Sequence, residues 1–420
     1  MILRCIAGLL AAALFQATPV SALDSKHIYQ INEDRVFQIR VLNRETGKKS
    51  SIGSGFIVGD GSLVATNYHV ISQIIREPEL FYVSYLGKNG EQGQLTLRAL
   101  DIARDLALLE AEDTLGQATR MRELPLRGAP IFAMGNPLDL GLTIAVGTNG
   151  GILDQTDDSR ILFSGSLNPG MSGGPTFNEN GDVIGINVAT ARNDISFIVP
   201  SRFLEDLINT APEQTLSNAA AWKEEVAHQV LSYESTYLQQ LQEDAWPDVT
   251  LRHLRLPGII SPTVRCWDNS AKLTTAARYQ RYQIRCANQN HVYLDDSTRF
   301  VGELNYEYFW LESDELNPLQ FYHLYQSLNQ GQIESKLDRD TVSNFNCRTW
   351  FVEVSSQEMK ANLCRREYVD YPGLSDVLFT AAMTGHDNLG FFLTLTFTGV
   401  GYRDSLPLIE RFLQEIEWQP

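Results

Sequence analysis

Asn168-Pro169-Gly170-Met171-Ser172-Gly173-Gly174-Pro175 is the stretch on which the fold of this chain turns. Glycine loses more backbone freedom on folding than any other residue, and proline fixes φ. A run this rich in both encodes a backbone shape that ordinary residues avoid. The chemical use of such a shape is to present the Ser172 hydroxyl while aiming backbone N–H groups at one point, an oxyanion hole. A plain surface turn fits the same eight residues, and the short pattern alone does not decide between the two.

Two upstream stretches decide. Gly53-Ser54-Gly55-Phe56-Ile57-Val58 leads to Leu63-Val64-Ala65-Thr66-Asn67-Tyr68-His69-Val70, an apolar run that ends on a histidine. Ala103-Arg104-Asp105-Leu106-Ala107-Leu108-Leu109 then sets an acid against a second apolar run. His69, Asp105 and Ser172 thus occur in the chain order of the chymotrypsin triad, whereas the subtilisin order places the acid first. Gly170-Met171-Ser172-Gly173-Gly174 also fits the nucleophile elbow of α/β-hydrolases, and five histidines follow it. An elbow requires a helix directly after the serine, and Gly173-Gly174-Pro175 followed by the turn Asn178-Glu179-Asn180-Gly181 reads as strand and turn. The elbow reading fails.

On these residues the chain resembles the HtrA branch of the chymotrypsin-like serine proteases. Further matching pieces are Gly135-Asn136-Pro137, Gly185-Ile186-Asn187 and Phe197-Ile198-Val199-Pro200-Ser201. The resemblance runs over residues 35–208, less than half the chain. It implies an all-β domain of two six-stranded barrels and a serine endopeptidase that acts on protein or peptide substrates through an acyl-enzyme. It also brings protein quality control as a setting, and a homo-oligomer as an option. In its frame Ser172 is the nucleophile, His69 the general base and Asp105 the residue that holds the imidazole; Asp101 competes for that last place. The N–H groups of Gly170 and Ser172 form the oxyanion hole. Ser166, Leu167, Val188 and Ala189 line an uncharged substrate pocket, with Arg192 the one cation in reach. That pocket favours cleavage after Val, Ala or Ile, because a buried charge left unpaired costs several kcal/mol, about 3–5 by one measure. Met171 replaces the aspartate that trypsin-type enzymes use to pair with a new N-terminus. A thioether cannot take that charge-assisted bond, so something else must order the oxyanion loop.

Outward from the motifs, short strand-like runs with turn signals fill residues 35–200, as in an all-β barrel or sandwich, and residues 202–208 read as a closing helix. Residues 1–22 read as a cleaved secretory signal, with Arg4, an apolar core over residues 5–15 and the small-x-small end Val20-Ser21-Ala22. That core is too short to span a bilayer, so the sequence points to an exported chain, periplasmic or secreted, without a membrane span after cleavage. The net charge of −17 opposes binding to nucleic acid or anionic lipid.

The remainder departs from the family pattern. A polar linker and an amphipathic helix beginning at Ser217 occupy residues 213–250, with Trp222, Val226, Val230, Tyr233, Tyr237 and Leu241 as its stripe. All six tryptophans lie beyond residue 220, and residues 251–420 read as a separate α+β domain. Family members usually carry a peptide-binding PDZ domain there; Leu256-Pro257-Gly258-Ile259-Ile260 is the nearest approach to its loop and reads as a plain loop. Cys266, Cys286, Cys347 and Cys364 remain after the signal is lost. Four cysteines allow three pairings. Cys266–Cys286 and Cys347–Cys364 each join strand-like ends of a short segment, so hairpins would bring them together. No metal-ligand spacing and no cofactor motif occurs. Residues 23–212 read as a unit able to fold alone, with the C-terminal domain ordering the oxyanion loop. A catalytically idle chaperone or binding module on the same barrels is the alternative function.

Overall fold

The computed structural model describes residues 25–152, 160–188, 196–212, 215–216, 218–270, 278–288, 292–294, 300–329, 333 and 340–419. The segment 1–22 read as a signal, Ala189, Arg192 and Ser217 lie outside them.

After helix α1 (Ser25–Asn32), strands β1 (Val36–Asn43), β2 (Lys49–Val58), β3 (Leu63–Thr66), β4 (Phe81–Leu86), β5 (Gln92–Asp101) and β6 (Leu106–Ala111) close into a barrel of order β1-β2-β3-β6-β5-β4. Two one-turn helices, α2 (Tyr68–Ile71) and α3 (Gln73–Arg76), follow β3. Strands β7 (Pro130–Gly135), β8 (Thr143–Ile152), β9 (Ile161–Phe163), β10 (Pro175–Phe177), β11 (Val183–Val188) and β12 (Ser196–Pro200) close a second barrel of the same winding, β10-β11-β12-β9-β8-β7. Closure removes the unpaired edges that an open sheet would expose. The strands carry β-branched and aromatic residues inward: Phe37, Ile39 and Val41 from β1 and Val83 from β4 are essentially inaccessible. Phe56, Val58 and Leu108 of the first barrel share a core with Met134, Phe177, Ile186 and Val188 of the second. Leu204 and Leu207 of helix α4 (Ser201–Thr210) close that seam.

Helix α5 (Ala219–Glu243) changes the meaning of the linker. Its cap is Asn218, whose side chain accepts the Ala221 N–H at 2.9 Å. Trp222, Val226, Ala227 and Val230 on its first half enter the core of the first barrel. Tyr237, Leu238 and Leu241 on its second half enter the core of the domain beyond. The helix is a strut shared by both.

That domain is built on a hairpin of β13 (Asp248–Leu251) and β14 (Leu254–Pro257), then β15 (Val264–Asp268), β16 (Gln280–Asn288), β17 (Val292–Tyr293), β18 (Phe300–Val301) and β19 (Leu304–Glu312). Helix α6 (Pro318–Leu328), β20 (Asn346–Val354), β21 (Gln357–Glu367), β22 (Leu374–Met383), β23 (Leu389–Gly401), α7 (Tyr402–Gln414) and β24 (Glu417–Trp418) complete it. Seven strands form an antiparallel sheet of order β15-β16-β19-β23-β22-β21-β20. The two cysteine pairs join directly opposed positions, Cys266 with Cys286 on β15 and β16, and Cys347 with Cys364 on β20 and β21. Each disulfide therefore staples an edge strand to its inner neighbour. Closing loops of this size stabilises a fold by about 3 kcal/mol in the chain-entropy account. The apolar-Gly-apolar stretch at 256–260 is occupied internally: Tyr308 donates to Pro257 O at 2.7 Å and Tyr306 to Gly258 O at 2.5 Å. Burial pushes both phenols far above their ordinary range, so they remain donors. Helix α7 carries Pro407 in its first half, and the polar strand β21 has no apolar run in the sequence to announce it.

The first barrel's core contains Val292, Tyr293, Leu294, Val342, Tyr371 and Leu374 as well as the α5 residues. A chain ending at residue 212 would present that apolar surface to water, at about 25 cal/mol per Å². Such a chain is expected to bind a hydrophobic dye and to melt without a cooperative transition. A sharp melt without dye binding would show that the barrels stand alone.

Candidate active site

Asp105 lies in the tight turn between β5 and β6 with φ of 58°, a left-handed conformation in which aspartate is among the tolerated residues. The turn is held in place: Asp105 O accepts from Asn67 Nδ2 at 2.8 Å and from the Tyr68 N–H at 3.1 Å. The carboxylate meets the next residue twice. His69 N–H donates to Asp105 Oδ1 at 2.9 Å, and His69 Nδ1 lies 2.6 Å from Asp105 Oδ2. Asp105 is 1% exposed, so this pair is shielded from water. Asp101 is engaged elsewhere, with Arg104 at 3.1 Å, and makes no contact of this kind with His69.

The loop 168–175 belongs to the second barrel, yet it is fastened by the first. Ser54 N–H donates to Ser172 O at 2.7 Å, and the Ser54 hydroxyl donates to Gly170 O at 2.7 Å while accepting the Asn136 N–H at 2.8 Å. From the other side Asn187 accepts the Gly173 N–H at 2.9 Å and donates its own N–H to Gly174 O at 2.8 Å. Gly170 and Gly173 adopt φ of 97° and 82°, and a Cβ on either would collide with backbone, at Asn136 O or Ser54 O. Only glycine fits both demands. A further tether runs through Asp139: it takes Lys49 Nζ at 2.5 Å and Gln38 Nε2 at 2.9 Å, and its neighbour Leu138 donates to Pro169 O at 2.9 Å. The Lys49 and Gln38 hydrogen bonds hold the Asp139 carboxyl below its usual range.

These tethers bring the loop close to the segment that carries His69. A Cβ on Gly53 would lie 2.5 Å from the Val70 side chain and 3.1 Å from Ser172 O, so one glycine separates the residue after His69 from the serine. The Gly170 N–H donates to no group among the described residues. Met171 is 1% exposed and packs with Leu167 and Phe163 in the second barrel. It anchors the loop by burial, where an aspartate would have required a charged partner. Barrel residues thus fasten the loop 168–175, and the C-terminal region reaches the segment of Tyr68 and His69.

Ser166 is exposed, whereas Leu167 and Val188 are buried in two different cores. Ala189 lies outside the described residues. Ser54 is the site residue that sequence reasoning missed. It stood within the Gly-Ser-Gly-Phe-Ile-Val match, but nothing in the sequence reveals which loop its hydroxyl will reach. Among the described residues no group of three His, Cys, Asp or Glu is placed to hold a metal ion.

Residues 53–186 match the family model of the trypsin-like peptidase domain. Serine protease HTR4 of Rattus norvegicus is 33% identical over 220 residues, covering 48% of this chain and 43% of its own length. Serine protease HTRA1B of Danio rerio is 29% identical over 229 residues, covering 51% and 46%. The two barrels form an HtrA-like serine protease domain. The chain spans under half the length of these two relatives. A solved serine endoprotease from Yersinia pestis is 25% identical and covers 44% of this chain and 67% of its own, at a TM-score of 0.39.

Removing the Ser54 hydroxyl leaves the Asn136 N–H and Gly170 O of the HtrA-like domain buried without a partner. Ser54→Ala is expected to cost about 1–3 kcal/mol of stability in denaturant melts. Loosening the nucleophile loop should also slow peptide hydrolysis by about 10- to 100-fold. Wild-type stability and turnover together would show that the clamp is dispensable.

Proposed function

We propose that the chain is an exported serine endopeptidase that cleaves protein or peptide substrates with Ser172 as nucleophile, His69 as general base and Asp105 as its orienting acid. The observation that carries this reading is the double contact of Asp105 with His69. With Nδ1 engaged by the carboxylate, Nε2 is the nitrogen left to take the Ser172 proton. Ser172 Oγ then attacks the scissile carbonyl, and the oxyanion that develops faces the N–H groups of Gly170 and Ser172. Each such donor contributes about 3–4 kcal/mol to lowering the barrier in comparable sites. His69 returns the proton to the leaving amine, and a water deprotonated by the same nitrogen releases the acyl group. Both disulfides persist only in an oxidising compartment, which supports export; the C-terminal region would then work outside the cytosol with the protease.

A fluorophosphonate is expected to modify Ser172 alone, and Ser172→Ala to abolish both labelling and peptide cleavage. Asp105→Asn should keep the geometry but favour the wrong tautomer, lowering kcat by about 10⁴-fold. Activity should fall on the acid side as His69 takes up a proton, since the base acts only when neutral. Labelling that survives Ser172→Ala would refute the nucleophile, and a native protein that never labels would make the barrels a binding module.

A further inference from the structure

His69 is touched from outside the barrels. The Tyr293 ring of β17 lies 5.0 Å from the imidazole, centroid to centroid, with the planes at 38°. The following residue, Leu294, accepts through its carbonyl the hydroxyl of Tyr68 at 2.6 Å. Two consecutive residues of the C-terminal region therefore hold Tyr68 and His69, two consecutive residues of the barrel. Tyr293 is only 9% exposed, Tyr68 is fully buried, and the His69 side chain is 11% exposed. Behind Tyr293 stands Phe300 of β18, also 5.0 Å away and directly opposite in the β17–β18 ladder. The Tyr293 ring thus packs against both Phe300 and the imidazole. Asp105 is steadied in a parallel way: Gln229 of α5 donates to Leu100 O at 3.0 Å and accepts the Ile102 N–H at 3.0 Å, fixing the start of the turn that carries the acid.

We propose that Tyr293 is a positioning residue of the active site, its ring fixing the plane of the His69 imidazole. The inference rests on His69 being the general base. A hydrogen bond from Nδ1 to Asp105 fixes one edge of the ring but leaves it able to tilt about that bond. Proton transfer from Ser172 and on to the leaving group requires Nε2 at one height and one angle. A rigid aromatic ring packed at a tilt against the imidazole removes the remaining freedom, and a branched aliphatic of similar volume does not.

The test uses the full chain carrying Tyr293→Phe, Tyr293→Leu or Tyr293→Ala, with His69→Ala as control, and reads kcat and KM on a peptide beside a thermal melt. Tyr293→Phe should stay within about twofold of wild type. Tyr293→Leu and Tyr293→Ala should lose about 10- to 100-fold in kcat with KM nearly unchanged and a cooperative melt retained. If Tyr293→Ala unfolds, the comparison of the Phe and Leu variants decides. Wild-type kcat in Tyr293→Leu, with His69→Ala inactive, overturns the inference while leaving the protease reading intact. A rise in kcat in Tyr293→Ala also overturns it, because the ring would then be a cover. Activity in His69→Ala would remove the base assignment and this inference with it.

Discussion

Three hydrogen bonds from one buried serine hold the two barrels in catalytic register. Ser54 sits on β2 of the first barrel, and its N–H and hydroxyl reach Ser172 O, Gly170 O and the Asn136 N–H of the second. His69 and Asp105 rise from the first barrel and Ser172 from the second. No element carries all three residues, so their relative placement depends on the seam. Apolar packing across that seam supplies the non-directional force, and the Ser54 bonds supply the direction.

The same division of labour extends past the barrels. Helix α5 shares its faces between two cores, and Gln229 and Tyr293 bear on the segments that carry Asp105 and His69. The loop that carries Ser172 is held differently, by the buried Met171 side chain and by the Ser54 and Asn187 bonds.

Much of this was legible in the residues. The turn glycines reflect local backbone demands that a linear sequence records; with the order of His69, Asp105 and Ser172 they carried the family resemblance that implied two barrels. The cysteine pairs were legible because each closes a hairpin whose strands are adjacent in the chain. What stayed hidden depends on contacts between distant residues. Leu294 and Tyr68 lie 226 positions apart, and no spacing rule links them. The Ser54 hydroxyl reaches Gly170 O, 116 positions away, and no local pattern announces that partner. β21 escaped because its core-facing residues, Met359, Ala361 and Leu363, alternate with Lys360 and Asn362 and form no apolar run. Its strand identity comes from the neighbours on either side.

The central claim is that Ser172, His69 and Asp105 form one working unit across the barrel seam, backed by the C-terminal region. A crystal structure of the full chain reacted with a fluorophosphonate tests it most directly. The account predicts a single adduct on Ser172 Oγ, its phosphoryl oxygen within hydrogen-bond distance of the Gly170 and Ser172 N–H groups. His69 should remain between Asp105 and the ring of Tyr293. An adduct on another serine, or a phosphoryl oxygen turned away from both N–H groups, would contradict it.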